Sequence, residues 1–518
     1  MEKKTIIALG LTIVLLFIFQ MYFAPKQQPV QNAPVAKVEE TQTVKEKPAS
    51  PAEAEDKKPT QRILAETPLL KVTFSNLGGG IESVKLQRYR DTVKKDSPEK
   101  ELVEDIKPYT YLPRVFKVVN GETIHDRTYF KPDRTGITVR DQAETLIFAG
   151  TLTDGKRIRK IYTLYPDKYT IDMKVEVEAT DKGAASMDFA VISGKNKNTY
   201  VFKGPFTYNG KEFTQVEKLK ENIEVGRDYK YAGLDDGFFA FIWIPGDESK
   251  FPLTITKTET NVPVLRSTID KGMLSGKLYF GPKQTDALKA LNVNAQKIID
   301  FGWFDIIAKP LVLGMNLSNR VTHNYGIDII LLTILIKIIF YPLTVKSYKS
   351  MKEMQKMQPV IMKLKEKYKN DRQKLNQEMM ELYKQKGVNP MGGCLPMVIQ
   401  IPVFFALYKA LSGAIELRHA PFMLWINDLS APEDLYTLAV AGFNLPIRIL
   451  PLVMGITQVI QQKMTPTSVD PLQEKMMLIM PIFFTFLFWS FPSGLVLYWL
   501  VNNVISIAQQ YYINKKTT

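Results

Sequence analysis

Apolar residues are bunched in two parts of the chain, and their spacing predicts helices that cross a membrane. Residues 5–23 form a run without any charge, and a helix of that length, at about 1.5 Å per residue, matches the core of a bilayer. The last third of the chain holds further apolar stretches at residues 327–343, 395–414, 445–460, 476–491 and 495–508. Together these runs predict a polytopic α-helical membrane protein with six spans.

The first run is interpreted as an uncleaved anchor. A cleaved signal peptide is the alternative, but it needs small residues at its cleavage site, and this run ends in Met21, Tyr22 and Phe23. Lys3 and Lys4 precede the run, which predicts a cytoplasmic N-terminus. The following segment, 24–62, lacks aromatic residues and is rich in Pro, Lys, Glu and Gln, a composition typical of a disordered linker.

Between the two apolar regions the pattern changes to that of strands. Residues 169–178 alternate between apolar and polar positions, which predicts a strand with one buried face. Residues 238–244 are continuously apolar, as in a strand buried on both faces. Asp154-Gly155 and Asn209-Gly210 are hairpin turn signals. Residues 63–298 are therefore predicted to form a large antiparallel β-sandwich outside the cytoplasm. Cys394, the single cysteine, excludes an internal disulfide.

Charge sets the expected orientation of the spans. The formal net charge is +15, and segment 346–386 alone carries 12 Lys and Arg residues against 5 Asp and Glu. Segment 418–444 has one Arg and three acidic residues. The positive-inside rule then places both termini in the cytoplasm. Segment 299–325 mixes apolar and polar residues just before a span and is expected to lie as an amphipathic helix in the outer interface.

Polar side chains inside the apolar stretches are the candidate site. They are Thr333, Lys337, Gln400, Gln458, Asn502 and Ser506, and Asn503 and Gln509 lie beside the last two in the later part of the same span. A charged or polar side chain in a bilayer core is costly unless it reaches water or a partner. Lys337 alone could extend its ammonium to the inner headgroups, but polar positions on four spans at similar depth favour a water-filled groove. We expect this groove to open to the cytoplasm and to be closed on the outer side.

The absence of acidic residues at that depth argues against a proton- or ion-coupled transporter. A secondary transporter for a small anion, bound near Lys337, remains the alternative hypothesis. An anchored extracytoplasmic carbohydrate enzyme is a second one, and it requires paired carboxylates in the sandwich. The few His and Cys residues lie far apart in the sequence, so no metal site or other cofactor is expected.

Segment 346–390 predicts a hairpin of two basic helices, with a kink at Pro359. Its methionines are Met351, Met354, Met357, Met362, Met379 and Met380. Methionine is flexible and polarisable, so these residues suit the capture of varied apolar segments. A hairpin core filled by methionine is the equally favoured alternative. The Lys and Arg residues could be orientation signals, or could contact anionic lipids or ribosomal RNA.

Several extended motifs are specific to one family. They are Tyr341-Pro342-Leu343-Thr344, Asn389-Pro390-Met391-Gly392-Gly393-Cys394-Leu395-Pro396, Gln400-Ile401-Pro402, Ala406-Leu407-Tyr408, Gln462-Lys463-Met464-Thr465-Pro466 and Phe491-Pro492-Ser493-Gly494-Leu495-Val496-Leu497-Tyr498-Trp499. In these blocks, over residues 303–512, the sequence resembles the YidC-type membrane protein insertases, relatives of the mitochondrial Oxa and chloroplast Alb proteins. The anchor and large outer domain resemble the Gram-negative form of that family.

The resemblance implies a five-helix insertase core with a hydrophilic groove in the inner leaflet, and a mobile cytoplasmic hairpin that first receives the substrate. It also implies that the outer domain is a β-supersandwich related to sugar-binding sandwiches. The family usually has Arg in the groove where this chain has Lys337. Lysine cannot make a planar bidentate contact, so a generic positive charge is expected to suffice.

The resulting hypothesis is a non-enzymatic insertase and chaperone of the bacterial inner membrane. Nascent membrane proteins enter the groove and leave sideways into lipid past Tyr498 and Trp499. The Sec translocon and membrane lipids are expected partners. Contact of the hairpin with ribosomal RNA stays open, whereas ribosome binding through the C-terminus is not expected because the tail 514–518 is short; no DNA is expected. The predicted parts are 1–23 anchor, 24–62 linker, 63–298 sandwich, 299–325 interfacial helix, 326–345 second span, 346–390 hairpin, and 391–518 spans three to six.

Overall fold

The computed structural model describes residues 60–388 and 395–516, apart from 104–111, 120–121, 154, 179–184, 190–201, 218, 247–250, 258–261, 270–271, 441–442 and 465–470. The predicted anchor, nearly all of the predicted linker and part of the motif around Cys394 lie outside the described residues. The described residues divide into two compact units: the first holds 60–91 and 98–281, and the second holds 92–97 and 282–516.

The first unit is built from strands. They are β1 Arg62–Glu66, β2 Leu70–Ser75, β3 Gly80–Arg90, β4 Glu99–Glu101, β5 Arg114–Val119, β6 Glu122–His125, β7 Lys131–Pro132, β8 Gly136–Thr138, β9 Glu144–Thr151, β10 Arg157–Leu164, β11 Thr170–Val177, β12 Ala185–Phe189, β13 Gly204–Tyr208, β14 Phe213–Gln215, β15 Ile223–Gly226, β16 Tyr231–Asp235, β17 Phe239–Pro245, β18 Leu253–Lys257, β19 Pro263–Ile269 and β20 Met273–Pro282.

These strands form three sheets. One has five strands in the order β4-β3-β2-β1-β8, one has nine in the order β14-β13-β16-β17-β20-β11-β10-β9-β7, and one has six in the order β15-β18-β19-β12-β5-β6. The strand pairs whose register is defined are antiparallel, except β1 with β8, which run parallel. The prediction of a largely antiparallel β unit is confirmed.

The core lies between the five- and nine-stranded sheets. Phe74 of β2 packs on Phe148 of β9 and on Tyr162 of β10, with ring centroids 5.8 and 4.9 Å apart. In β11, buried and partly exposed side chains alternate from Ile171 to Glu176, as the sequence predicts. Strand β17 is buried from its first residue to its sixth, which confirms the prediction of two buried faces.

The second unit is helical. Its helices are α1 Thr285–Lys289, α2 Asp305–Thr322, α3 Tyr325–Ile339, α4 Tyr341–Lys356, α5 Gln358–Lys367, α6 Arg372–Gln385, α7 Leu395–Gly413, α8 Ile449–Met464, α9 Pro471–Phe488 and α10 Ser493–Lys516; a hairpin of β21 Tyr436–Val440 and β22 Phe443–Ile447 precedes α8.

The predicted span 327–343 is wrong as one continuous helix. It falls on α3 and α4, which are bent by 62° at a break around Phe340. Pro342 lies in the first turn of α4, where its missing N–H is tolerated and a new helix starts readily. Among the described residues, no single helix combines the length and hydropathy of a membrane span, whereas α3 and α4 reach both together. The six-span arrangement stays a prediction.

Two further boundaries differ from the sequence prediction. The stretch 445–460 begins in strand β22 and becomes helical only at Ile449. The first hairpin helix, predicted to begin at residue 346 and to kink at Pro359, is instead divided into α4 and α5 at Met357, just before Pro359. Proline removes a backbone donor and prevents the preceding residues from continuing the helix regularly, which explains the break. Asp371 caps α6 by accepting a bond of 3.0 Å from the Lys374 backbone N–H.

Candidate functional site

Helix α10 carries the residues around which the predicted site assembles. Tyr498, Asn502 and Ser506 recur every four residues and therefore share one face of the helix. All three are at least 95% buried. Trp499 and Asn503 lie beside them, on the part of the helix that faces α8. One helix thus presents polar groups to several neighbours.

Lys337 of α3 is bonded to this face. Its Nζ donates to Ser506 Oγ over 2.6 Å, and that hydroxyl donates to the Asn502 carbonyl over 2.7 Å. Thr333, one turn earlier on α3, donates its hydroxyl to the Ile329 carbonyl within its own helix. Across the described residues, no carboxylate lies within ion-pair distance of Lys337. The positive charge therefore stays uncompensated by any described acidic group.

Two other pairs complete what we call the polar network. Gln400 of α7 donates to the Tyr498 hydroxyl over 3.3 Å, and Trp499 Nε1 donates to Gln458 Oε1 of α8 over 2.7 Å. Asn503 lies 3.3 Å from Thr457 Oγ1 and 3.5 Å from Gln458 Oε1. The structure thus brings Lys337, Gln400, Gln458, Asn502 and Ser506 around α10. Thr333 lies on the same helix as Lys337, but among the described residues its hydroxyl bonds to the Ile329 carbonyl of that helix and to no other member of the network.

The two residues of the predicted lateral exit differ in their surroundings. Tyr498 is 1% exposed. Trp499 is half-buried and stacks on Phe484 of α9, with ring centroids 5.7 Å apart, and meets Phe404 of α7 edge-on at 5.2 Å. In this conformation an aromatic cluster therefore lies beside the polar network, and an exit past Tyr498 and Trp499 stays a prediction.

The sequence prediction placed Asn503 among the polar positions of the last stretch, and the structure brings it into the network. The prediction did not name Thr457. Thr457 precedes Gln458 and is a weaker signal, because threonine is common at buried helix positions where it bonds to its own backbone; here its hydroxyl also donates to the Met454 carbonyl. The spacing of residues along one helix shows which face they share, but it does not show which other helix packs against that face.

The methionines of the predicted capture hairpin have two different environments. Met351 and Met357 are buried, and Met354 and Met379 are partly buried. Met362 and Met380 expose 54% and 61% of their surface. The first group fits a hairpin core and the last group fits an apolar capture surface, so each of the two interpretations describes part of the set.

Comparison with known proteins identifies both units. The sequence profile described as "60Kd inner membrane protein" matches residues 317–518, and the "YidC periplasmic domain" profile matches residues 62–313. The membrane protein insertase YidC of Syntrophus aciditrophicus is 40% identical over 558 residues, covering 100% of both chains.

Two further proteins are similar to this chain. The corresponding insertase of Geobacter metallireducens is 39% identical and covers 99% of this chain and 98% of its own. The crystal structure of an active YidC insertase aligns over 98% of this chain and 99% of its own, with 18% identity and a TM-score of 0.40. The full-length sequence identity establishes that this chain belongs to the YidC family of membrane protein insertases.

Proposed function

We propose that this chain inserts nascent membrane proteins by receiving their polar flanks at the polar network and releasing their apolar segments sideways into lipid. The observation that carries the proposal is Lys337, a cation bonded to Ser506 among apolar helices, with no carboxylate partner among the described residues. Because no acidic side chain is paired with it, such a cation is available to attract the acidic side chains or backbone carbonyls of a substrate.

The bonds within the network suit exchange with a substrate. Several are long, such as the 3.3 Å between Gln400 and Tyr498 and the 3.3–3.5 Å around Asn503. Hydrogen bonds weaken at such distances, so replacing them by bonds to a substrate backbone loses little. The substrate gains much more, because an unpaired backbone polar group in hydrocarbon costs several kcal/mol. The network would therefore lower the barrier to transfer without covalent chemistry.

The proposed arrangement has six spans, cytoplasmic termini and an extracytoplasmic supersandwich, with the part boundaries given by the sequence. Helix α2 supports a position in the outer interface, because its exposed side includes Ile306, Leu313, Leu317 and Val321, each at least 62% exposed. Trp303, just before the helix, is 99% exposed, and Trp is typical of membrane interfaces. The inner membrane is the proposed location, and its lipids are the proposed partners of these side chains.

The hairpin α5–α6 is proposed to meet the substrate first. Met362 and Met380 provide exposed, adaptable apolar contacts, and the surrounding Lys and Arg residues provide attraction to anionic segments or headgroups. Cooperation with the Sec translocon is proposed as an additional route. Ribosome contact is proposed through the Lys and Arg residues of the hairpin.

The experiment is insertion into liposomes that contain the purified chain. We expect Lys337→Glu to slow the insertion of a short membrane protein with an acidic translocated tail by about tenfold or more, because attraction becomes repulsion. A neutral-tailed version of the same substrate should be affected much less. Lys337→Arg is the matched control and should retain activity. Equal losses for both substrates, or saturable anion uptake without insertion, would overturn the proposal.

A second experiment tests whether the helical unit is sufficient for insertion. Deletion of residues 71–281 should leave insertion largely intact, since every residue of the polar network lies beyond position 332. Loss of insertion in a deletion variant that still reaches the membrane would contradict the proposed division of labour.

A further inference from the structure

Asp328 is a fully buried carboxylate at the start of α3, and its partners all come from the preceding helix α2. Its Oδ1 accepts bonds from Ser318 Oγ over 2.6 Å and from Thr322 Oγ1 over 2.7 Å. Its Oδ2 accepts a bond of 2.7 Å from Asn319 Nδ2. A buried carboxylate is tolerated only when it is well hydrogen-bonded, so this cage of neutral donors fixes α2 against α3.

The turn between the two helices is fixed as well. His323 adopts a left-handed conformation with φ of 52°, which ends α2. The Asn324 side chain caps α3 by accepting from the Gly326 and Ile327 backbone N–H groups, and its amide donates to the Phe422 carbonyl over 2.9 Å. A Cβ on Gly326 would overlap the Phe422 ring. The corner therefore allows little change in the angle between the helices.

The two sides of α2 differ in exposure and polarity. Its exposed apolar residues lie on one side, whereas Ser318, Asn319 and Thr322 point toward α3. At about 100° per residue, the centre of positions 313, 317 and 321 lies about 150° around the helix from the centre of 318, 319 and 322. One side of the helix is thus left for lipid while the other holds α3.

We propose that Asp328 is a positioning residue for insertion: it makes α2 and α3 move as one body, so that the lipid-bound helix sets the tilt of α3. That tilt in turn places Thr333 and Lys337, which follow Asp328 by five and nine residues, or about 8 and 14 Å along the helix axis. The effect of Asp328 on insertion rests on the proposed function, whereas the coupling of α2 to α3 does not.

The test uses the full chain and measures both the coupling of α2 to α3 and the rate of insertion. Cys394, the single cysteine, is replaced by serine, and spin labels are attached to cysteines introduced at the exposed positions 313 and 338. Pulsed electron paramagnetic resonance then gives the distribution of distances between α2 and α3, and liposome insertion is measured on the same variants without labels. Asp305→Asn is the matched control, because that carboxylate bonds to Lys309 and to the Phe301 backbone of its own segment.

We expect Asp328→Ala to broaden the distance distribution and to slow insertion about tenfold or more, the loss that corresponds to one hydrogen bond to a charged group. Asn319→Asp should also broaden the distribution and slow insertion, because the carboxylates of residues 319 and 328 then repel each other. Adding Asp328→Asn to Asn319→Asp restores a carboxylate–amide pair and should regain both properties. This exchange remains informative even if Asp328→Ala fails to fold.

Three results would overturn the inference. They are an unchanged distance distribution in Asp328→Ala, a broadened distribution with normal insertion, and an exchange variant no better than Asn319→Asp alone. If the unsubstituted chain itself inserts nothing, the proposed function fails, while the distance measurement still decides whether Asp328 couples the two helices.

Discussion

Lys160 lies fully buried in the β unit, where an ammonium group is expensive to keep charged. Its Nζ donates to the carbonyls of Gly78 and Pro113 over 2.6 and 2.7 Å. Desolvation by burial lowers the pKa of Lys160 from 10.5 to about 7, and Asp126 offsets only part of that shift. We therefore predict that Lys160→Met changes how the stability of the β unit depends on pH.

The sign follows from proton uptake. Between the folded pKa near 7 and the unfolded pKa of 10.5, the unfolded chain binds more protons, so the free energy of unfolding rises with pH. From pH 7 to pH 9 the calculated gain from Lys160 is about 2 kcal/mol. Methionine has no proton to exchange, so the variant should lack this gain. It also leaves two buried carbonyls without a donor, at a cost of about 1–3 kcal/mol each, but that loss is the same at every pH.

The measurement is pulse proteolysis in urea on the detergent-solubilised full chain at pH 7, 8 and 9. Lys174→Met serves as the control, because Lys174 lies on the neighbouring strand β11 with 43% of its side chain exposed. The unsubstituted chain and the control should both gain stability over this range, and Lys160→Met should gain about 2 kcal/mol less. Parallel pH profiles for all three proteins would refute the reasoning.

Two further predictions concern the helical unit. Glu433 accepts bonds from the Ile449 and Leu450 backbone N–H groups at the start of α8; Glu433→Ala should lower the free energy of unfolding by about 1–2 kcal/mol through loss of this cap, measured by thermal melting, with Glu433→Gln as a milder comparison. Gly455 packs so closely on α9 that a Cβ would overlap the Thr485 hydroxyl. Gly455→Ala should therefore destabilise by about 1–3 kcal/mol, and adding Thr485→Ala should recover most of that loss in the same assay; no recovery would contradict the close packing.

Features of the fold set by local pattern could be predicted from the sequence. The alternation in β11 and the continuous burial of β17 were both readable because strand side chains alternate with period two. Asn209-Gly210 marks the β13–β14 hairpin, where Asn209 Oδ1 accepts from the Lys211 and Glu212 backbone N–H groups. The break between α3 and α4 was missed because hydropathy continues across it, although Pro342 was a helix-start signal.

For the site, the sequence supplied the residues but not their partners. Lys337 and Ser506 stand out because polar groups are rare in apolar stretches, yet they are separated by 169 positions, so only the packing of α3 on α10 could pair them. The role of Asp328 was also missed. Its three donors come from α2, and they reach it only because His323 turns the chain with a positive φ.

The bend between α3 and α4 has a consequence for the surrounding membrane. Helix α3 has 15 residues, so its axis is about 22 Å long, whereas the hydrocarbon core of a typical bilayer is about 30 Å thick. In the proposed arrangement, in which α3 crosses the membrane, α4 turns away from its axis by 62° and carries lysines from its second turn onward. Acyl chains beside this corner would then have to shorten or tilt to meet it, so activity should be sensitive to the chain length of the lipids chosen for reconstitution.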